Sequence, residues 1–378
     1  MDLMEYKAKE LFEKAGIPVS PGITVSSVDE LREKDFEYPA VVKAQVQTGG
    51  RGKAGGIKFA ENKGELLEAA AAVLGMDIKG HTVSKVMVTN KVNVSREFYF
   101  SVMLDRNTKK RIMIFSPCGG VDIEQTAKQD PEKIFKLEID PLLGFSKPDA
   151  IYLAGKAGLY GEQSAKFAGM AEKLYKLSVN HYCMLAEINP LIVDESDDLI
   201  ALDAKISIDD SAVQRLPDIA EYKASLETHP LVKEAADYKF LYIPCDETGE
   251  VVVMSNGSGM LMTCIDHITA AGMAVSAVLD LGGGSTAERI ENGIRILLST
   301  PNAKILFINI FGGITRCDEV ANGIKAAVEN HKMGAPILTR FEGTNKDKGL
   351  EIIEGLDNVI FADGLKEAIG KLITWKKS

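Results

Sequence analysis

Residues 185–205, LAEINPLIVDESDDLIALDAK, read as two apolar strands joined by an acidic turn, Asp194-Glu195-Ser196-Asp197-Asp198. With the turn centred on Ser196, Asn189 lies opposite Asp203 and Glu187 opposite Lys205. Side chains alternate across a strand, so these four share one face. That face is polar, whereas Ile188, Leu202 and Ala204 between them are apolar. An amide oxygen opposed to a carboxylate is a pair of hard donors suited to Mg²⁺, which keeps several waters and takes further ligands from phosphates. A half-exposed hairpin with an ordinary solvated face shows the same alternation. The rest of the chain has to decide between them.

Upstream, residues 3–15 set Met4, Ala8, Leu11, Phe12 and Ala15 on one helical face, and Gly16 ends the helix. Asp29 to Lys34 reads as a short helix. Tyr38 to Gln47 is a strand that carries Lys43 inside an otherwise apolar run. It leads into Thr48-Gly49-Gly50-Arg51-Gly52-Lys53-Ala54-Gly55-Gly56 and then a second strand from Ile57. Glycines permit close backbone approach and let amides point at anions. The loop is not a Walker motif, because no GK[ST] follows and the next element is a strand. Its two readings are a phosphate-covering flap and a mobile hairpin tip. A helix over 65–74, strands over 82–89, 97–104 and 111–115, a Gly119-Gly120 turn into a helix, and a helix over 162–179 complete an α+β half with mostly antiparallel strands.

From Val251 the pattern changes to strand, glycine turn and helix in strict alternation. VVVMSNGSG, AVSAVLDLGGGS and AKILFINIFGGIT each lead into a helix. Runs such as Ile305-Leu306-Phe307-Ile308 are apolar on both faces, as parallel strands covered on both sides must be. The expectation is a doubly wound α/β parallel sheet of about five strands, with ligands beyond the strands' carboxyl ends. Those ends are Asn256-Gly257-Ser258-Gly259, Gly282-Gly283-Gly284-Ser285 and Gly312-Gly313-Ile314-Thr315, each read as opening a helix whose free amides favour an anion. The expected domains are 1–220 and 247–378. Residues 221–246, rich in charge and proline, read as a linker with a helix inside.

The 378 residues exceed one ordinary core. A composition 46% hydrophobic and 26% charged is that of a globular chain. The net charge of −10 argues against non-specific nucleic-acid binding. The five cysteines lack CxxC spacing, which fits free thiols in a reducing compartment. No apolar run has membrane-spanning length, and the first helix begins almost at Met1, so the expectation is a cytoplasmic protein.

In order along the chain stand Val42-Lys43-Ala44-Gln45, Gly49 to Gly56, Glu187-Ile188-Asn189-Pro190-Leu191, Leu202-Asp203-Ala204-Lys205, Gly282-Gly283-Gly284 and Asn309-Ile310-Phe311-Gly312-Gly313-Ile314. Together they resemble the β subunits of succinate–CoA ligase (succinyl-CoA synthetase), over nearly the whole chain from Glu5-Tyr6 onward. The resemblance implies an ATP-grasp domain followed by a flavodoxin-like ligase domain. It also implies the reversible conversion of a nucleoside triphosphate (ATP or GTP), CoA and a dicarboxylate into acyl-CoA, nucleoside diphosphate and phosphate. The phosphoryl group would travel on a histidine of a separate α subunit, which also binds CoA.

By motif matching, Lys43 and Gly50-Arg51-Gly52 would contact nucleotide phosphates, and Glu97 would take the nucleotide-site acid position. Asn189 and Asp203 would hold Mg²⁺, in agreement with the hairpin register. Glu187 would be the catalytic acid near the phosphohistidine. Asn256 and the Gly313-Ile314-Thr315 helix start would face the organic acid and the phosphohistidine. Phosphoryl transfer is mainly positioning and charge neutralisation, so such residue types suffice.

The chain departs from the family pattern at Thr89, where an acid is usual, at Met4 for a usual histidine, and at Gln47 for a frequent one. None of His81, His181, His229, His267 and His331 sits in a glycine-rich anion loop, which supports the need for a partner chain. The alternatives are a malate–CoA ligase β subunit, a non-catalytic nucleotide-binding subunit, and an ATP-grasp enzyme that works alone through an acyl-phosphate.

Overall fold

The 185–205 hairpin forms in the expected register: Glu187 pairs with Lys205 and Ile188 with Ala204. Beyond them Leu191 pairs with Ala201 and Val193 with Leu199. The long strand Cys183–Val193 thus faces two short ones, Leu199–Ala201 and Ala204–Ile208. Leu202 and Asp203 fall in the gap between the short strands, where the Leu202 N–H still reaches Pro190 O at 3.1 Å.

The computed structural model describes every residue except Asp122, Thr228, Lys332, Met333 and Ser378. It divides into two units, Met1–Ala220 and Glu221–Ser378. In the first unit, the hairpin belongs to a six-stranded antiparallel sheet completed by Arg96–Asp105, Lys110–Ser116 and Phe135–Ile139. Helix Gly161–Asn180 covers this sheet with Ser164, Phe167, Ala168, Met170, Ala171, Leu174, Leu177 and Ser178. Their spacing of three and four residues makes one continuous stripe. Phe167 packs on Phe115 and Phe100, with ring centroids 4.2 and 4.8 Å apart. Buried aromatics of this kind dominate the energetics of a core.

A second, four-stranded antiparallel sheet runs in the order Gly22–Val25, Lys85–Asn90, Ala40–Gln45, Ile57–Ala60. Helix Lys63–Val73 seals it with Leu66, Ala69, Ala70 and Val73. Asn62 caps that helix by accepting from the Glu65 N–H, while the Glu65 carboxylate accepts from the Glu61 N–H at 2.8 Å and from Asn62 Nδ2. The glycine loop 48–56 is the turn between the sheet's last two strands.

The second unit is built on a sheet ordered Leu241–Pro244, Val275–Asp280, Val251–Ser255, Ile305–Gly312, Ile337–Gly343, Val359–Phe361. The last five are parallel, in the flavodoxin-like arrangement. Val252 and Met254 pack with Ile290, Ile294, Val320 and Ile324 on one face. Val251 and Val253 pack with Leu261, Cys264, Ile268 and Leu372 on the other. Helices therefore cover both faces.

Residues 221–246 are not a linker with a single helix. Helix Pro217–Leu226 runs through the unit boundary, helix Pro230–Asp237 follows, and Leu241–Pro244 pairs antiparallel with Val275–Asp280 as a sixth strand. The prolines that read as breakers sit where proline is tolerated, at the first residue of each helix and the end of an edge strand. Helix Lys147–Lys156 and strand Phe135–Ile139 also lacked a clear sequence signal. Among the described residues no helix is long and apolar enough to cross a membrane. All five cysteines are free.

Candidate active site

Strand Ala40–Gln45 carries Lys43 into the interior, where it is buried. Its Nζ donates to Asp203 Oδ1 and lies 3.4 Å from Glu5 Oε1. Arg51 folds back from the glycine loop to donate to Glu5 Oε2 and, at 3.0 Å, to Ala44 O; its other terminal nitrogen is 3.5 Å from Asp203 Oδ2. The loop closes on itself through Gly56 N–H to Arg51 O at 2.9 Å and Ala44 N–H to Gly56 O at 2.7 Å. Gly50 there has φ +82°, a conformation that favours glycine. Lys9, one helical turn after Glu5, adds a third cation 3.6 Å from that carboxylate and donates to Ser20 Oγ at 2.7 Å.

Five charged groups thus share a nearly dry pocket. Burial pushes the Glu5 carboxyl up, but Lys43, Arg51 and Lys9 outweigh it and hold the group well below the usual carboxylate range. Asp203 goes the other way: burial and the neighbouring Glu5 charge raise it, against Lys43 and Arg51. Burial lowers Lys9 to about 8 despite Glu5.

In front of this cluster opens a cleft of about 870 Å³. Its walls include the flap residues Gly50, Arg51, Gly52 and Lys53, the hairpin residues Glu187, Asn189 and Asp203, and the Gly120-Val121 turn. Asn189 Oδ1 accepts from the Gly120 N–H at 2.8 Å and Asn189 Nδ2 donates to Val121 O at 3.1 Å, which fixes the amide. The amide oxygen keeps a second lone pair. The Asp203 side chain is 26% exposed on the same wall. An oxygen pair with room for waters and phosphates fits a hard divalent cation. Glu187 is held by Tyr99, whose hydroxyl donates to its Oε2 at 2.9 Å.

Flap and hairpin residues expected at the site therefore meet in one cleft. Lys43 stands behind it, committed to two carboxylates. Glu97 is exposed on strand Arg96–Asp105, its carboxylate against Gly120, where an added Cβ would lie 2.6 Å from Oε2. Thr89 is buried inside the four-stranded sheet, opposite Val41 and Gly22. Gln47 lines the cleft and donates to Asp2 O at 3.1 Å.

Sequence reasoning did not single out Glu5, Lys9 or Tyr99. Glu5 and Lys9 look like an ordinary i,i+4 surface pair, and only their tertiary partners reveal otherwise. The Gly119-Gly120 pair was a visible signal. A Cβ on Gly119 would lie 2.5 Å from Phe98 N, so the turn can sit against that strand only as glycine.

At the strand ends of the second unit, Asn256 spends its side chain on the neighbouring strand. Its Nδ2 donates to Phe311 O at 2.8 Å and its Oδ1 accepts from Phe311 N–H at 3.1 Å. Helix Cys317–Asn330 starts later than expected, capped at Arg316, because strand Ile305–Gly312 extends through the first glycine. Gly313-Ile314-Thr315 is accordingly a turn before the helix and not its first turn. Ile314 is 85% exposed, whereas Thr315 is buried and its hydroxyl accepts from the Gly284 N–H at 3.0 Å. The glycine turn at 282–284 and that at 312–313 are thereby tied together.

Family models match the chain twice: an ATP-grasp domain over residues 2–193 and a CoA-ligase domain over residues 254–366. The class defined by fold and site is an ATP-grasp domain followed by a CoA-ligase domain. The chain is 43% identical to the succinate–CoA ligase [ADP-forming] subunit beta of Desulfatibacillum aliphaticivorans, over 98% of this chain and 99% of that one. It is 40% identical to the succinate–CoA ligase [GDP-forming] subunit beta of Thermus thermophilus, over 97% of each. Among solved structures, ATP citrate lyase from Methanothrix soehngenii in complex with citrate and coenzyme A superposes with a TM-score of 0.76, at 18% identity and over 99% of both chains, a likeness of fold. The chain belongs to the family of succinate–CoA ligase β subunits, and it is a ligase.

Proposed function

We propose that this chain is the nucleotide-binding β subunit of an acid–CoA ligase. It couples reversible formation of succinyl-CoA from succinate and CoA to the conversion of ATP or GTP into the diphosphate and phosphate. The observation that carries the reading is the single cleft in which the flap Gly50-Arg51-Gly52-Lys53, the oxygen donors Asn189 and Asp203, and Glu187 converge. Names of relatives support succinate as the acid and an α subunit as the partner.

In this reading Gly50 and Gly52 let the flap backbone approach the triphosphate, and Arg51 and Lys43 neutralise it. Asn189 and Asp203 would hold Mg²⁺, which when bound neutralises phosphate charge. Glu97, beside the Gly120 turn, takes the nucleotide-site acid role. Glu187, oriented by Tyr99, is the acid that receives the partner's histidine as it takes or returns the phosphoryl group. Histidine carries a proton at one ring nitrogen while the other attacks phosphorus, and a carboxylate at that proton fixes the reactive tautomer. Asn256 and the Gly313-Ile314-Thr315 turn face the organic acid.

The test is turnover of the chain assembled with its α subunit. Succinate-, CoA- and nucleotide-dependent formation of succinyl-CoA is expected, with malate a markedly poorer substrate. Equal or better turnover of malate would reassign the acid, and no turnover with either would remove the reading.

A further inference from the structure

We propose that Glu5 is a positioning residue of the nucleotide site, one that keeps Arg51 on the cleft wall and Lys43 directly behind it if Asp203 turns from them toward a metal. This deepens the function proposed above and rests on it.

The observation is a division of labour between two carboxylates that share the same cations. Glu5 is 3% exposed and touches Lys43, Arg51 and Lys9. Its place on helix Glu5–Lys14 is fixed by neighbours: the Tyr6 N–H donates to Gln45 Oε1 at 2.9 Å, and Gln45 Nε2 donates to Lys43 O at 3.1 Å. Glu5 has nowhere to go. Asp203 differs, because it sits in the gap between the two short strands of the hairpin with its side chain 26% exposed to the cleft. It can turn outward while Glu5 cannot.

With both carboxylates engaged, Lys43 and Arg51 are neutralised and offer little to a phosphate. If Asp203 is drawn to a cation in the cleft, the two basic groups lose one partner and keep the other. They then face the cleft with positive charge to spare and without the cost of an unpaired buried cation. Sharing also loosens Asp203, since each cation divides its bonding between two acids. Without Glu5, Asp203 would be the only carboxylate available to Lys43 and Arg51, and a phosphate would have to displace it outright. With a cation bound, Asp203 would exchange Lys43 and Arg51 for it and leave them to a phosphate, and Glu5 would keep both of them paired through the exchange.

The test uses the enzyme assembled with its α subunit and a fluorescent nucleoside diphosphate, titrated with chelator and with Mg²⁺. Glu5→Gln is expected to weaken nucleotide binding by about tenfold with Mg²⁺ present as well as under chelator, the effect of one hydrogen bond to a charged group. Glu5→Asp, which keeps the charge on a shorter arm, should fall between. Asp203→Asn should bind the metal-free nucleotide at least as tightly as the parent, because it removes the competitor, and should lose the Mg²⁺-dependent tightening. A purely structural role for Glu5 would lower the thermal midpoint of its variants without this opposition of sign between positions 5 and 203. Binding by Glu5→Gln within about twofold of the parent overturns the proposal; so does parental binding by Glu5→Asp should the glutamine variant not fold. Metal-free binding lost equally in Asp203→Asn and Glu5→Gln also overturns it. Failure of the unmodified enzyme to bind nucleotide at all would instead remove the underlying reading.

Discussion

Tyr99 and Glu187 lie on neighbouring strands of the six-stranded sheet, and the Tyr99 hydroxyl donates to Glu187 Oε2 at 2.9 Å. Burial and the adjacent Glu187 charge push the phenol well above its ordinary value, so it stays a donor across the working range. Tyr99→Phe removes one hydrogen bond to a charged group, on the order of 1.5–3 kcal/mol. The expected result is a slowing of partner-histidine phosphorylation by about tenfold or more, with nucleotide affinity retained. Rapid-quench labelling of the α subunit measures it, and an unchanged rate would show that Glu187 needs no such support.

Gly119→Ala places a methyl carbon 2.5 Å from the Phe98 backbone nitrogen, a contact that cannot persist. The turn must move, and the Gly120 N–H then leaves Asn189 Oδ1. The variant should lose about 1–3 kcal/mol of stability in chemical denaturation. It should also show weaker Mg²⁺-dependent nucleotide binding. A variant that loses stability but binds as before would separate the turn from the site.

The hairpin was legible because its pattern is symmetric about the acidic turn: polar Glu187, Asn189, Asp203 and Lys205 alternate with apolar neighbours, and a one-residue slip would bury them all. The parallel sheet was legible because its strands are apolar on both faces. What stayed hidden depends on partners remote in sequence. Glu5 reads as one charge among several on an amphipathic helix, yet it is buried with Lys43 and Arg51, 38 and 46 residues away, as its partners. The 221–246 segment misled for the opposite reason, since prolines at helix starts look like breaks until the helices are seen.

Phe115→Ala empties the centre of the ring stack formed with Phe98, Phe100 and Phe167. The expected cost is about 3–5 kcal/mol, from lost burial and the cavity left behind. Denaturant titration of the parent and variant checks it. A loss under about 1 kcal/mol would mean that helix Gly161–Asn180 is not held by these rings.

Lys9 gives a pH signature. Burial, opposed by Glu5, lowers it to about 8 from 10.5. Between those values the unfolded chain holds a proton that the folded one has released, so Lys9 penalises the fold fully below about pH 8 and progressively less up to about 10.5. Relative to Lys9→Met, the parent should gain on the order of 2–3 kcal/mol across that window. Parallel stability curves for the two proteins would remove this assignment of Lys9.

The most direct measurement is transfer of label from γ-labelled nucleoside triphosphate to the α-subunit histidine in the assembled enzyme, comparing the parent with Asp203→Asn in the presence of Mg²⁺. The cleft described here predicts labelling of the parent and none above background in the variant, with the variant folded and still bound to its α subunit. Labelling of Asp203→Asn at the parent's rate would contradict the assignment of Asp203 and Asn189 as the metal-holding pair.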